Sequence, residues 1–407
     1  MGRTTPRAVA TIALALLPAS AAASPQDLFS YGGRHVAMAG TGASFADDYG
    51  AVHANPAGLS RARDRALTLG YVATGFDLSL DGAYLPASPG SATVIGLSFP
   101  LPFGGVLRDR VGIGLGFFTP TNVVVRGRII GAETPQFVAL PDRVQSVAVQ
   151  AGLGVDVGYG VRVGAGFMAL AALTGSVLVT NDASGRSTSR IDDQLVASYA
   201  PVIGASFERG AWRFGATFRG TLAARFGVVI SAPELGIPVP PLNIAGVAQY
   251  DPMQLQLEAS WQRGGWTVAL GVTGKRWSDY PGPAEATTAS SRPPPPPEFS
   301  DTIVPRLGAE HRWTFEGGPW ACARGGYFYE PSPAPTPIAT RQYLDADRHV
   351  IALGLGLGTG GDGTRFSLDG FGQVHLLASR EGTSATGVAM RYGGVAWHLG
   401  VTASVTF

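Results

Sequence analysis

The side chains able to do chemistry in this 407-residue chain do not gather into a reactive set. The six histidines, His35, His53, His311, His349, His375 and His398, lack the close spacing a metal site uses. The one cysteine, Cys322, can neither close an internal disulfide nor build a cysteine-based metal cluster. Gly358, Gly360 and Gly363 have Gly-x-Gly-x-x-Gly spacing, yet they open no helix in a βαβ unit and read as small residues leading into a tight turn. No Gly-x-Ser-x-Gly elbow occurs. Asp369 and His375 share one strand face but stand about 20 Å apart at the usual rise. A lipase or protease is therefore unsupported, and neither catalysis, cofactor nor metal is expected. What remains is Coulombic chemistry. Arg213, Arg219, Arg225 and Lys275 are cations placed to face a common interior, where one of them could hold a ligand carboxylate. Most should instead pair with Glu258, Asp156, Asp369 or acidic residues near the N-terminus.

The elements that must position these cations are strands. Charged residues are 14% of the chain, against about 25% in soluble domains. Thirty bases against 29 acids leave no basic excess, so no nucleic-acid partner is expected. Glycine is abundant, at 57 residues, and no long apolar run suits a membrane helix beyond the N-terminus. From residue 212 to 230 the even positions are apolar or Gly, from Trp212 through Phe214, Phe218, Leu222, Ala224 and Val228 to Ile230. The odd positions carry Arg213, Thr217, Arg219 and Arg225. In a barrel set in lipid the apolar face turns outward, since an Arg at the bilayer midplane costs about 2–4 kcal/mol. Similar alternation recurs at Met253–Trp261, Val147–Val157 and Ile351–Leu357. Fourteen such segments can be counted, near 66–76, 91–100, 111–118, 143–158, 161–179, 194–209, 212–230, 243–263, 266–277, 302–314, 319–330, 347–359, 364–377 and 393–407. The fold expected is all-β, a fourteen-stranded antiparallel transmembrane β-barrel.

Connection lengths agree. Short turns and long loops alternate, as in outer-membrane barrels with short periplasmic turns. The exception is 101–110, which should be short and is not. The last strand ends on Phe407, in phase with Val395, Trp397, Leu399, Val401, Ala403 and Val405. A terminal Phe on such a strand resembles the signal read by the barrel-assembly machinery. Residues 1–23 read as a secretory signal peptide, with Arg3 and Arg7, a short apolar core and Ala21–Ala23 before the cleavage site. Residues 24–65 then precede a barrel at 66–407. Pro293–Pro297 reads as a stiff external loop.

The segment from Ser24 to Asp64 is not strand-like. It reads Tyr31-Gly-Gly-Arg-His-Val-Ala-Met-Ala-Gly-Thr-Gly-Ala43, then Asp47-Asp48, and ends Ala54-Asn-Pro-Ala-Gly-Leu59. This resembles the hatch of the FadL family of outer-membrane transporters for long-chain fatty acids and other hydrophobic compounds. Asn55, Pro56 and Ala57 match the family run before the first strand, while Ala39 stands where the family usually has Gly. Arg306–His311, Arg324–Tyr327, Pro331–Pro333 and Asp345–His349 are similar to its later strands and loops. The resemblance implies an N-terminal hatch plugging the lumen. It implies passive uptake of hydrophobic compounds across a Gram-negative outer membrane by a monomer with periplasmic termini, in contact with outer-membrane lipid. It also implies an inward kink in strand three, which Gly112, Gly114 and Gly116 would permit; packing against the hatch is the other reading of these glycines. Leu235, Ile237, Val239 and Leu242 would form an outer capture groove, or else a mobile loop. The alternative functions are a diffusion porin for polar solutes, which needs no hatch, and a lipid hydrolase.

Overall fold

The computed structural model describes residues 25–121, 131–140, 146–181, 187–231, 242–285, 295–361 and 363–407. The expected signal peptide lies outside them, as do Leu235, Ile237 and Val239 of the expected groove; Leu242 opens a strand.

Alternating sequences form alternating strands. In chain order they are β1 (Ala66–Leu80), β2 (Gly90–Pro100), β3 (Val111–Pro120), β4 (Ala148–Gly158), β5 (Val161–Asn181), β6 (Ser187–Arg209), β7 (Trp212–Arg219 and Leu222–Ser231), β8 (Leu242–Asp251 and Met253–Arg263), β9 (Trp266–Arg276), β10 (Thr302–Thr314), β11 (Trp320–Glu330), β12 (Arg348–Gly358), β13 (Arg365–Thr383) and β14 (Ala389–Thr406). Each pairs antiparallel with the next, and β14 returns to β1 from Ala66↔Thr406 to Leu80↔Tyr392. This is the closed fourteen-strand barrel, with no free edge at the seam. Tight turns join the strands at one end, as at Tyr159-Gly160 and Gly264-Gly265; most long loops lie at the other. The 101–110 connection stays long and contains a single 3-10 turn, Gly105–Leu107.

The register follows the expected faces. In β9 the residues alternate exposed and buried along the whole strand. Ile351, Leu353, Leu355 and Leu357 of β12 all face outward, as do Leu255 and Leu257 of β8. So large an apolar exterior is covered by a bilayer. Tyr159, Trp212, Trp266, Trp313, Phe315, Phe366 and Phe407 are all exposed at the turn end, forming the aromatic girdle of such a barrel.

One strand departs from its expected pattern. β7 is broken at Gly220-Thr221, and above the break its parity reverses, so that Leu222 and Ala224 are buried rather than outward. The cause lies in the neighbouring strand. The β6–β7 ladder runs to Val202↔Arg219, where Pro201 has no N–H to continue it and only its carbonyl receives Gly220 N–H. Beyond the break, β7 pairs in parallel with β5, from Gly227↔Thr174 to Ser231↔Leu178. A register shift at Ala224/Arg225 follows on the β8 side.

Candidate functional site

Residues 25–61 lie inside the barrel. They form three short helices, α1 (Pro25–Phe29), α2 (Gly33–Ala37) and α3 (Ala51–Ala54), and a 3-10 turn, Pro56–Arg61. None is long enough to be stable alone, so the wall must hold them. Asn55 caps the 3-10 turn: its Oδ1 accepts from Ala57 N–H at 3.0 Å, and Pro56 takes the first position, where its missing N–H costs nothing. The Asn55 amide donates outward, to the Ala43 carbonyl at 2.5 Å and to Ala205 of the wall at 2.9 Å. Glu258 of β8 receives Gly42 N–H at 2.8 Å, Ser44 N–H at 3.0 Å and Ser44 Oγ at 2.6 Å. A carboxyl group with two acceptor oxygens has room for three such donors.

The strand-three glycines serve this packing. A Cβ on Gly112 would stand 2.0 Å from the Leu59 carbonyl oxygen; on Gly114, 2.6 Å from a Leu59 methyl; on Gly116, 2.6 Å from Tyr31 Oη. The ladders on both sides of β3 run past all three without a register shift. Absent side chains at all three positions make room for the inner segment.

The four candidate carboxylate-binding cations are all engaged. Lys275 bonds Asp27 of α1 at 3.1 Å and Glu330 at 2.7 Å. Arg219 donates to the His53 carbonyl at 3.0 Å and to Gln254 and Gln256. Arg213 stands 3.6 Å from Glu208. Arg225 is half-exposed and paired with Glu285 at 2.9 Å. It lies above the β7 break, so the alternation that placed it beside Arg213 and Arg219 no longer applies. Sequence reasoning missed Arg34, which joins α2 to Glu310 through two bonds and reaches Asp47 at 3.0 Å. It also missed Arg306, whose Nη1 donates to the Ala39 carbonyl at 3.0 Å. Both occupy alternating strand or glycine-rich positions that look like ordinary lumen polarity.

Above the inner segment part of the interior is apolar, beside the buried charged groups Lys275, Glu330, Arg348 and Asp345. Among the described residues, one buried cluster runs from Tyr31, Val52 and Leu59 past Met168, Leu170, Val202, Leu222 and Ala224 to Tyr250, Trp277, Tyr280 and Phe299. The last four are rings at the loop end: Tyr250 stacks on Trp277 at 5.3 Å and meets Tyr280 edge-on at 4.7 Å, and Phe299 lies 4.8 Å from Tyr280. Below the segment is a polar vestibule of ≈590 Å³, lined by Arg34, Asp47, Glu310, Arg324 and Asp369 among others. Between them, among the described residues, two cavities of ≈20 Å³ flank α1, each with room for about one water. The inner segment thus separates an apolar column from a wet vestibule.

His35 of α2 gives this closure a pH dependence. It is fully buried, with Nδ1 3.1 Å from the Thr41 carbonyl and Nε2 3.3 Å from Asp48, two acceptors that both want a proton. Burial opposes its charge, but Asp48 outweighs burial and raises the His35 pKa; burial likewise would raise Asp48, yet His35 and Arg34 hold it at about 2. The pair's stabilisation is therefore complete between about pH 4 and 6.5. It fades upward as His35 loses its proton above 6.5, and downward as Asp48 gains one near pH 2. Hydrogen-exchange protection of residues 33–54, corrected for intrinsic rates, should fall from pH 6 to 9. His35→Gln should flatten that profile; an unchanged profile would remove His35 as its source.

No protein-family model matches the chain, and no curated protein matches it. Solved structures do. A crystal structure of a Pseudomonas aeruginosa FadL homologue aligns over 95% of this chain and 98% of its own, with a TM-score of 0.59 at 15% identity. The Pseudomonas putida toluene transporter TodX aligns over 94% of this chain and 99% of its own, with a TM-score of 0.57 at 15% identity. The Ralstonia pickettii toluene transporter TbuX covers 92% and 98%, with a TM-score of 0.51 at 16% identity. At such identities the likeness is one of fold, and this chain has that fold from end to end of the described barrel.

Proposed function

We propose that this chain is a channel of the FadL type that takes up hydrophobic compounds passively across a bacterial outer membrane, with residues 25–61 as its hatch. The observation that carries the reading is the apolar column, which joins four aromatic rings at the loop end to the inner segment. A hydrophobic molecule crosses a polar envelope surface poorly, and a dry, ring-lined interior offers it a pathway. The loop end then faces outward, and the turn end, with Phe407 and the vestibule, faces the periplasm. Assembly through the Phe407 strand, contact with outer-membrane lipid and action as a monomer belong to the same reading. So does the absence of a catalytic step.

The engaged state of Arg213, Arg219, Arg225 and Lys275 favours uncharged compounds over carboxylates. A carboxylate would have to displace Asp27, Glu208, Glu285 or the hatch's own carbonyls. Cells lacking their own transporters of this class, with and without this chain, are to be given labelled toluene and labelled oleate. Toluene uptake should rise several-fold, and oleate uptake less. No rise for either, with a folded barrel in the outer membrane, overturns the transport reading. A preferential rise for oleate keeps it and reverses the substrate class.

A further inference from the structure

The charged chain that begins at α1 does not end in the wall. Asp27 bonds Lys275 of β9, Lys275 bonds Glu330 at the end of β11, and Glu330 bonds Arg348 at the start of β12 at 2.9 Å. All four side chains are buried. Arg348 uses only Nη2 on Glu330; its Nε and Nη1 are buried without a hydrogen-bond partner. Asp345, three residues earlier in the loop before β12, is fully buried; Ser332 and the Ala346 N–H lie against its carboxyl, but it forms no ion pair. A guanidinium with two idle donors and a carboxylate without an ion-pair partner thus sit in one neighbourhood. Burial pushes the Asp345 carboxyl up, although Arg348 draws it down.

That loop also meets α1 directly. Tyr343–Leu344 pairs in parallel with Gln136–Phe137, forming a small cover at the loop end. Leu344, Phe137 and Ala346 share one apolar cluster with Leu28 and Phe29 of α1.

We propose that Arg348 is a two-position switch coupling the seat of α1 to the loop cover at 343–346. With α1 seated, Lys275 and Arg348 are paired by Asp27 and Glu330, and Asp345 forms no ion pair. When α1 withdraws, Asp27 leaves with it, and one carboxylate remains for two buried cations. Leaving a buried charge unpaired is strongly unfavourable. Lys275 then takes Glu330, Arg348 turns its idle nitrogens to Asp345, and Asp345 supplies the missing negative charge. Arg306 and Arg219, two further buried cations near this chain, are held by neutral groups: Arg306 by the Ala39 carbonyl and Thr273, Arg219 by the His53 carbonyl, Gln254 and Gln256. The cover at 343–346 is thereby fastened when the inner segment lets go, so the lumen does not stand open at both ends. This goes beyond the transport reading and its test does not depend on any substrate.

The test is hydrogen exchange, read by mass spectrometry on the full-length protein folded in detergent micelles, for Asp27→Asn, Asp345→Asn and the double variant. Asp27→Asn should speed exchange in residues 25–29 and slow it in 343–346 by about tenfold, within the usual range for coupled sites. Adding Asp345→Asn should abolish the slowing while leaving α1 fast. A variant lacking residues 25–29 removes the same carboxylate and should repeat the loop response even if Asp27→Asn folds poorly. Unchanged or faster exchange at 343–346 on loss of Asp27 would overturn the proposal, because a merely structural chain would loosen both ends. Equal slowing in the double variant would overturn it too, by removing Asp345 from the switch.

Discussion

A valine at Gly112 is expected to turn a silent barrel into a leaking one. The added Cβ would fall 2.0 Å from the Leu59 carbonyl oxygen. That neighbour is backbone, which has no rotamer into which it can retreat. Gly164, where a Cβ would lie 2.3 Å from Ala57 N, is a second such contact two strands along the same wall, with Gly154 between them. In either variant the wall, closed by its ladder, yields less readily than a short turn held by a few hydrogen bonds. The turn must move, and with it the separation between column and vestibule. Planar-bilayer recordings should show rare, small openings for the parent. For Gly112→Val and Gly164→Val they should show sustained conductance, at least tenfold larger. Gly274→Val, at a strand glycine where a Cβ meets nothing within 4 Å, is the matched control and should stay silent. Parent-like recordings from a folded Gly112→Val barrel would mean that the segment does not seal the lumen.

The second large effect concerns Lys275. Replacing it with Met keeps much of the volume and leaves Asp27 and Glu330, both buried, sharing one remaining cation. Breaking a buried pair from one side typically costs about 3–5 kcal/mol. Urea unfolding in micelles should show Lys275→Met destabilised by that order. Adding Asp27→Asn removes the orphaned charge and should recover more than half of the loss, a coupling that only groups in contact display. By contrast Glu381→Gln, which breaks the exposed pair with Arg391 at 2.8 Å, should leave stability essentially unchanged. An equally small effect for Lys275→Met would mean the chain of charges is solvated in solution.

Much of the barrel was legible because it is written in period two. Every strand face follows from which neighbour must be lipid, so β8, β9 and β12 have the register their residues predict. Strand ends were less legible. β13 runs six residues past its predicted end, because its tip pairs with β14 above the apolar band, where polar Arg380 and Glu381 give no alternating signal. The broken β7 was not legible from its own sequence, which alternates straight through. The determinant is Pro201, on another strand, and a ladder failure is visible only once the partner is known. The site was legible in kind but not in pairing. Asn55-Pro56-Ala57 stood out as a run resembling the family's, and the structure shows it to be a capped 3-10 turn with wall contacts. The inward arginines and Lys275 were foreseen as lumen cations, yet which anion each would meet depends on contacts more than a hundred residues apart, such as Lys275 with Asp27. The glycines of β3 left room on the inner face, and only the structure shows Leu59 and Tyr31 filling it.

The seam between β1 and β14 imposes an order of assembly. Ala66 pairs with Thr406, so the ladder that closes the cylinder joins residues nearly the whole chain apart. Contacts of that separation form late, because the entropy of loop closure must be met before they contribute. The inner segment is the first part of the described chain and leads directly into β1. Its seat touches β3, β8, β9 and β10, strands that do not exist as a surface until most of the chain is present. The segment therefore has to be lodged before the seam zips, or else reach its place from the vestibule side past its own strand. A nascent chain whose closure outruns that lodging would yield a cylinder of normal mobility and spectrum with its core misplaced, a kinetic product that ordinary tests of barrel folding would pass as native.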